Sequence, residues 1–446
     1  MEATPPATGH RALRARLTAI AALGLVVLAA ISFLLVAINV LDALIVLGCL
    51  FLGTYCAWLS LTRGGTLLFL TIPGVLLTLT VLVLTAYEHR VGLAVWVACV
   101  LLFGVAARAA VRADRAGQAA AGMPTVPPAR RGVLVVNPRS GDGKAARVGL
   151  AAEAARRGIH TVELEPGGNL RELTEKAIAD GADVVGMAGG DGSQAVVAAV
   201  ASARGVAHVC IPSGTRNHFA QDLGLDRDDP VGALDAFTTG VERRVDLAAV
   251  NGRVFVNNAS LGLYASVVQS ATYREAKLRT WQRMLPELVG GRAPTSELRF
   301  DLPDAGPQTG ATLLMVSNNP YDLQRPRVAG SRSRLDGGTL GILSARLQEA
   351  EEVARFVTLM TIGQEWRMHD IRQWSAVTFE VDSTGPVALG IDGEAVRMAP
   401  PLRFETRPGA LRVRLPATAS GLSPSAAAVG MSGRDLRRLV AIAAGR

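Results

Sequence analysis

The chain has 446 residues, room for about three domains at ~150 residues each, and 49% of them are hydrophobic against 19% charged. A mean hydropathy of +0.29 excludes a disordered chain, and four cysteines at 49, 56, 99 and 210 give neither a disulfide framework nor a CxxC metal clip. The net charge of +8 rests on scattered arginines, with lysine only at 144, 176 and 277, so no nucleic-acid partner is expected and part of this charge suits anionic lipid or phosphate.

From Leu17 to Ala107 the formal charges are Asp42, Arg63, Glu88 and Arg90 alone. About 20 apolar residues as helix cross a hydrocarbon core, and 17–38, 41–62, 66–87 and 91–107 meet or approach that length. Four apolar runs are too many for a signal peptide. Arg11, Arg14 and Arg16 precede the array and Arg108, Arg112 and Arg115 follow it. The positive-inside rule then places both ends in the cytoplasm, with Arg90 the one dissenting charge. The expected location is the cell (inner) membrane, multi-pass, with the polar part cytoplasmic. Residues 111–131, rich in Ala, Gly and Pro, read as a linker.

The polar part opens with an apolar strand at Gly132–Asn137, followed by the loop Asn137-Pro-Arg-Ser-Gly141 and a helix over 145–157. Strands follow at 160–164, 183–188 and 206–211, with helices at 170–180 and 193–203. This β–loop–α rhythm argues for a parallel sheet covered by helices. After about 247 the pattern turns to strands, at 254–258, 297–302, 312–317, 340–345, 377–381, 387–391, 402–405 and 411–415. Helical stretches remain at 270–290 and 348–362. The tail, 417–446, is a Ser/Ala/Gly linker with a short amphipathic helix at 434–444.

Ligands in open α/β folds bind beyond the carboxyl ends of the strands. Three loops there are rich in small residues: Asn137–Gly141, Gly189–Ser193 and Ser213–Asn217. Gly189, Gly190 and Gly192 let backbone N–H groups approach an anion. Asp191 can reach a metal or its waters, and Ser193 opens a helix, whose N-terminus favours phosphate. Lys144 stands as a phosphate cation. None of the loops is a Walker or GxGxxG motif. A single such loop would be an ordinary turn; three in one sheet point to a nucleotide.

These residues resemble a known family. Asn137-Pro-Arg-Ser-Gly141, Gly189-Gly-Asp-Gly-Ser193, Pro212-Ser-Gly-Thr-Arg-Asn217, Val245-Asp246-Leu247, Phe255-Val-Asn-Asn258 and Ile391-Asp-Gly-Glu394 occur in the order and spacing of the diacylglycerol kinase catalytic domain, over about 131–416. Sphingosine, ceramide and, more distantly, NAD kinases share the pattern. The resemblance implies an α/β nucleotide-binding domain (132–247) and a β-rich second domain (248–416), here after an all-α transmembrane bundle (1–110), with ATP in the cleft. It implies ATP- and Mg2+-dependent phosphorylation of a lipid hydroxyl, diacylglycerol to phosphatidate.

By the same resemblance Asn137, Pro138, Arg139, Ser140, Gly141, Gly189, Gly190, Asp191, Gly192, Ser193, Thr215 and Asn217 contact ATP. Glu394 is the general base, with Asp392 beside it. Asp191 and Asp246 join a metal–water network. Asp336, with backbone carbonyls of Ser333 and Gly338, forms a second Mg2+ site. Read without it, Asp246 caps a turn and Asp336 before two glycines is a plain turn.

The chain departs from the pattern at Val196, where the family has Glu, and at Arg216-Asn217-His218, where it reads Gly-Asn-Asp. Asp222, one helical turn on, stands as a replacement carboxylate. The expected partners are a membrane lipid substrate and the bilayer, with a homodimer left open. The alternatives are a kinase of a sphingoid base, polyprenol, glycolipid or NAD, or a membrane-tethered ATP sensor without catalysis.

Overall fold

The computed structural model describes residues 7–37, the single residues 48 and 51, 90–262, 298–309, 313–323, 331–345, 371–428 and 433–445. The chain divides into two compact units: 1–115 with 429–446, and 116–428.

The first unit contains helix α1 (Ala7–Ala37), most of α2 (Arg90–Ala121) and, from the far end of the chain, a further helix, Gly433–Ala443. Small residues let these helices approach closely. Ala15, Ala19 and Ala22 recur at helical spacing and pack with Ala107, Ala110 and Val111, and with Leu439 and Ile442 of the C-terminal helix. Arg115 pairs with Asp435 and Arg438 with Asp114, each at 2.8 Å. The outward faces of α1 and α2 carry exposed Leu17, Val27, Phe33, Leu101 and Val105. Among the described residues two stretches, Ala12–Phe33 and Ala94–Ala119, are long and apolar enough to cross a membrane. The spans expected at 41–62 and 66–87 lie outside the described residues, apart from the single residues 48 and 51, as do the helices at 270–290 and 348–362. The linker expected from 111 begins later, because the second helix runs on to Ala121. The amphipathic helix expected at 434–444 is present over Gly433–Ala443 and packed as just described.

The second unit holds two large sheets. Strands β1 (Thr125–Val126), β2 (Gly132–Val136), β3 (His160–Glu163), β4 (Val184–Gly189), β5 (Ala207–Pro212), β6 (Gly240–Val250) and β7 (Arg253–Phe255) come first in the chain. Then follow β8 (Asn258–Gly262), β9 (Arg299–Leu302), β10 (Gly306–Thr309), β11 (Leu313–Asn318), β12 (Leu340–Ala345), β13 (Ile371–Ala376), β14 (Thr378–Val381), β15 (Val387–Ile391), β16 (Glu394–Met398) and β17 (Leu402–Pro416). The first sheet runs β1-β6-β17-β5-β4-β2-β3, with β14 on β17 and β7 on β6. Its β2, β3, β4 and β5 are parallel. Every residue of β2, β4 and β5 is buried, as continuous apolar strands covered on both faces must be. The ring of Phe237 closes one face, seated where a side chain on Gly186 would come within 2.6 Å of it.

The second sheet is antiparallel, β13-β12-β11-β8-β15-β16, over a core that includes Leu261, Leu314, Ile342 and Leu389. The boundary read at 247 and 416 is crossed by the chain. The segments 402–405 and 411–415 are one long strand, β17, which returns to the first sheet between β5 and β6, parallel to the former and antiparallel to the latter. Its register shifts between Arg407 and Leu411, so Pro408-Gly409 bulges the strand without ending it. The first sheet is therefore mixed, not purely parallel.

Candidate active site

The loops after β2, β4 and β5 meet at the carboxyl ends of those strands. The Gly190 N–H donates to Ser140 Oγ at 3.0 Å, and Asn137 Nδ2 donates to Ser193 Oγ at 3.4 Å. The contact is close enough to require glycine. A β-carbon on Gly214 would lie 2.4 Å from Gly190 Cα, and one on Gly141 would lie 2.4 Å from the Ser213 carbonyl oxygen. Ser213 Oγ is buried here with no hydrogen-bond partner. Asn217, in the left-handed region at φ 52°, is buried and turned onto its own loop, accepting the Gly214 N–H and donating to its carbonyl, both at 2.8 Å. Thr215 and Arg139 stand exposed at the rim.

Helix α3 (Asp191–Arg204) starts in this junction. Its first residue, Asp191, accepts the N–H groups of His218 and Phe219 at 3.1 and 3.0 Å, so the carboxylate of one loop caps the short helix His218–Asp222 of the next. Each oxygen keeps acceptor capacity beyond that bond. Beneath the glycine loop, Gln194 Nε2 donates to the Met187 and Ile211 carbonyls, tying β4 to β5. His208 packs on Gln194 Oε1 at 3.0 Å. Burial alone pushes the His208 imidazole down to about 3, so it stays neutral. His218 is also held below its usual range by burial, with Asp191 pulling the other way.

The β15–β16 hairpin brings the second sheet's residues to the same place. Ile391 pairs with Glu394 across a two-residue turn, Asp392 at φ 47° and Gly393 at φ 86°, the signature of a type I′ hairpin. Asp392 and Gly393 thus turn the chain just before Glu394. Asp392 Oδ2 accepts the Val256 N–H at 2.8 Å, and Oδ1 those of Asn257 and Asn258 at 2.9 and 3.1 Å. The residue is half-buried but its carboxylate is enclosed by these donors. Burial pushes it up to about 7 against their pull. Glu394 instead lies over the glycine loop: a β-carbon on Gly192 would sit 2.6 Å from its Oε1. Its Oε2 pairs with Arg253 at 2.9 Å, both side chains near half exposed. An open cavity of about 560 Å³ adjoins Glu394 and Gly192. Val196, Ala199 and Val254 give it an apolar wall, while Asn169, Arg171 and Arg253 give it polar groups.

Other expected site residues are engaged elsewhere. Asp246 is buried, its Oδ1 accepting the Gly409 N–H and its Oδ2 those of Gly338 and Asn319 Nδ2, at 2.7, 2.7 and 3.1 Å. Asp336 and Ser333 are exposed, and Asp336 pairs with Arg334 at 2.9 Å. Asp246 is thus enclosed by N–H donors, and among the described residues no three His, Cys, Asp or Glu converge as metal ligands. Lys144 is not at the loop junction: its Nζ donates to the Arg227 carbonyl at 2.7 Å. Asp222 is no replacement ligand either, since Arg332 Nε and Ser331 Oγ hold its two oxygens at 2.6 and 2.9 Å.

Arg253, Arg332 and the 167–171 loop escaped the sequence reading. The loop was findable, because it follows β3, a fourth parallel strand with its own carboxyl end.

Residues 131–250 match the family model of the diacylglycerol kinase catalytic domain. The chain is 31% identical over 301 residues to a probable lipid kinase, YegS-like, of Pseudomonas aeruginosa, covering 64% of this chain and 94% of that one. It is 27% identical to a diacylglycerol kinase of Mycobacterium tuberculosis, covering 63% and 94%. A diacylglycerol kinase structure from Bacillus anthracis superposes with a TM-score of 0.49 at 19% identity, over 64% of this chain and 96% of that one. The family model and the Pseudomonas relative, matched over 94% of its length, show that the chain belongs to the diacylglycerol kinase catalytic-domain family of lipid kinases.

Proposed function

We propose that this lipid kinase transfers the terminal phosphoryl group of ATP to the hydroxyl of a membrane diacylglycerol, giving phosphatidate. The observation that carries the proposal is the placement of Glu394 over Gly192, at the mouth of the glycine loop and beside the cavity. A phosphoryl acceptor must lie in line with the transferred group, so a base that serves it has to stand where the phosphates end. Glu394 does so on a short hairpin and takes the proton from the acceptor oxygen. Nucleotide phosphates meet the N–H groups at the start of α3, where the helix end favours negative charge. The cavity's apolar wall suits a base and its Arg171 and Arg253 suit phosphate oxygens.

Mg2+ bound at this junction would neutralise charge on the transferring group. Asp191, with acceptor capacity left on both oxygens, fits that role, directly or through water. The Ser333, Asp336 and Gly338 set does not fit a second ion as it stands, because the exposed Asp336 carboxylate is turned onto Arg334.

A lipid acceptor stays in the bilayer, and the two apolar helices hold the enzyme there, which raises the local concentration of substrate. Both ends of the helical unit and the catalytic unit would then be cytoplasmic, on the side where ATP is. The test is phosphate transfer from labelled ATP, by full-length protein in mixed micelles, to diacylglycerol, a sphingoid base, a polyprenol, a glycolipid and NAD in parallel. Transfer to diacylglycerol above the rest supports the proposal. Preference for another acceptor replaces the substrate, and nucleotide binding without transfer to any acceptor favours the sensor reading.

A further inference from the structure

Arg332 is completely buried, a place where a charged side chain needs partners. Its guanidinium spends its donors on four partners from three parts of the unit. Nε meets Asp222 Oδ2 at 2.6 Å, Nη1 meets the carbonyls of Val256 and Asn318 at 2.6 and 2.8 Å, and Nη2 meets Asn257 Oδ1 at 2.7 Å. The Tyr321 ring lies 5.8 Å away. Ser423 Oγ holds the Arg332 carbonyl. Burial works against the charge, and Asp222, Tyr321 and Asp392 together outweigh it, keeping the guanidinium above its ordinary range.

The segment 256–258 is therefore gripped from two sides. Arg332 takes the Val256 carbonyl and the Asn257 side chain, while Asp392 takes the N–H groups of Val256, Asn257 and Asn258. The Asp392 N–H also donates to the Asn258 carbonyl at 3.0 Å. Asp392 is the first turn residue of the hairpin, and Glu394 follows two residues on.

We propose that Arg332, paired with Asp222, is a positioning residue for catalysis: it fixes the 256–258 turn from which the Glu394 hairpin hangs. The proposal rests on Glu394 acting as the base. A planar five-donor fork serves four acceptors at once, which a lysine ammonium on a flexible stem cannot. The same pair ties the hairpin to the glycine-loop side, because Asp222 ends the helix that Asp191 caps. Positioning errors of about 1 Å cost on the order of 10²-fold in rate.

Removing Arg332 alone leaves Asp222 buried and unpaired, which threatens folding. The experiment therefore compares Arg332→Lys with the double variant Asp222→Leu/Arg332→Met, which replaces the ion pair with apolar groups. Full-length proteins are assayed for kcat and for the KM of ATP with a total lipid extract in mixed micelles. Melting temperature and amide exchange over 253–262 and 387–398 are measured on the same samples. The expected result in both variants is a kcat lower by roughly ten- to a hundredfold, a KM for ATP within about twofold of wild type and faster exchange over 387–398. The double variant leaves no unpaired charge but strips the Val256 and Asn318 carbonyls of their donor, so it should stay folded and melt below wild type. A double variant that is folded with kcat within about threefold of wild type, or with unchanged exchange over 387–398, overturns the assignment. Wild-type protein that transfers phosphate to no lipid strikes the kinase reading instead, and the exchange measurement still decides the clamp.

Discussion

Glu394 lies directly against Gly192, with its carboxylate where a side chain at 192 would stand. Replacing Glu394 with Gln keeps the shape and removes the base, so kcat should fall by roughly 10²–10⁴-fold. The melting temperature should barely move, because the exposed pair with Arg253 is worth at most about 1 kcal/mol. Gly192→Ala should lower kcat as well, by pushing the Glu394 carboxylate aside, with ATP binding retained. A stable Glu394→Gln protein of near-normal kcat would remove the base assignment.

His208 supplies the pH prediction. Its pKa in the folded chain is about 3, against about 6.5 unfolded. Above pH 6.5 both states carry it neutral and it has no effect. As pH falls below 6.5 the unfolded state binds the proton first, so stability drops until about pH 3. The full loss is about 4–5 kcal/mol at most. Asp392, raised to about 7, contributes with the opposite sign over the same range, so the decline is read as the difference between wild type and His208→Gln in denaturant titrations from pH 7 to 4, and identical pH dependence in the two would contradict the burial of His208.

The elements with continuous apolar runs, β2, β4 and β5, were plain in the sequence, because burial on both faces leaves no other composition. The glycine-loop junction and the Asp-Gly-Glu turn were legible for the same kind of reason: backbone that must come close or turn sharply admits few residues. What stayed hidden was long-range. Nothing local shows that β17 leaves the second sheet's segment and inserts beside β5, and Pro408-Gly409 reads as a stop where the strand only bulges. The Arg332–Asp222 pair joins residues 110 positions apart, beyond any spacing argument.

The two glycines of the junction separate fold from binding. A β-carbon on Gly190 finds its nearest neighbours at 3.7 Å, whereas one on Gly214 collides with backbone at 2.4 Å. Gly190→Val should therefore fold with a melting temperature near wild type and lose ATP binding, by filling the phosphate cradle. Gly214→Val should lose about 1–3 kcal/mol of stability through overpacking. Thermal melts with and without ATP distinguish the two, and equal destabilisation in both would show that the loops do not meet as described.

At the scale of the molecule, the unit 116–428 carries both sheets and their cores. A fragment of those residues should be folded and monodisperse. The longer fragment 116–446 should self-associate, because without α1 it presents Leu439 and Ile442 to water. Size-exclusion chromatography of both checks this, and two equally monodisperse fragments would contradict the packing of the C-terminal helix. The chain leaves the helical unit after Arg115 and re-enters it at Val429, so the kinase unit is an insertion, tethered at its beginning and at its end. The return anchor is noncovalent and modest: two apolar side chains at about 1.5–3 kcal/mol each, with two ion pairs. Severing the outgoing tether alone, by a protease site placed within 124–130, should consequently not free the enzyme. The fragment should stay with the membrane pellet through its last helix and go to the supernatant once Leu439→Asp is added. Such redundancy would make the attachment tolerant of damage in either connector, at the cost that a single cut would not shed the enzyme.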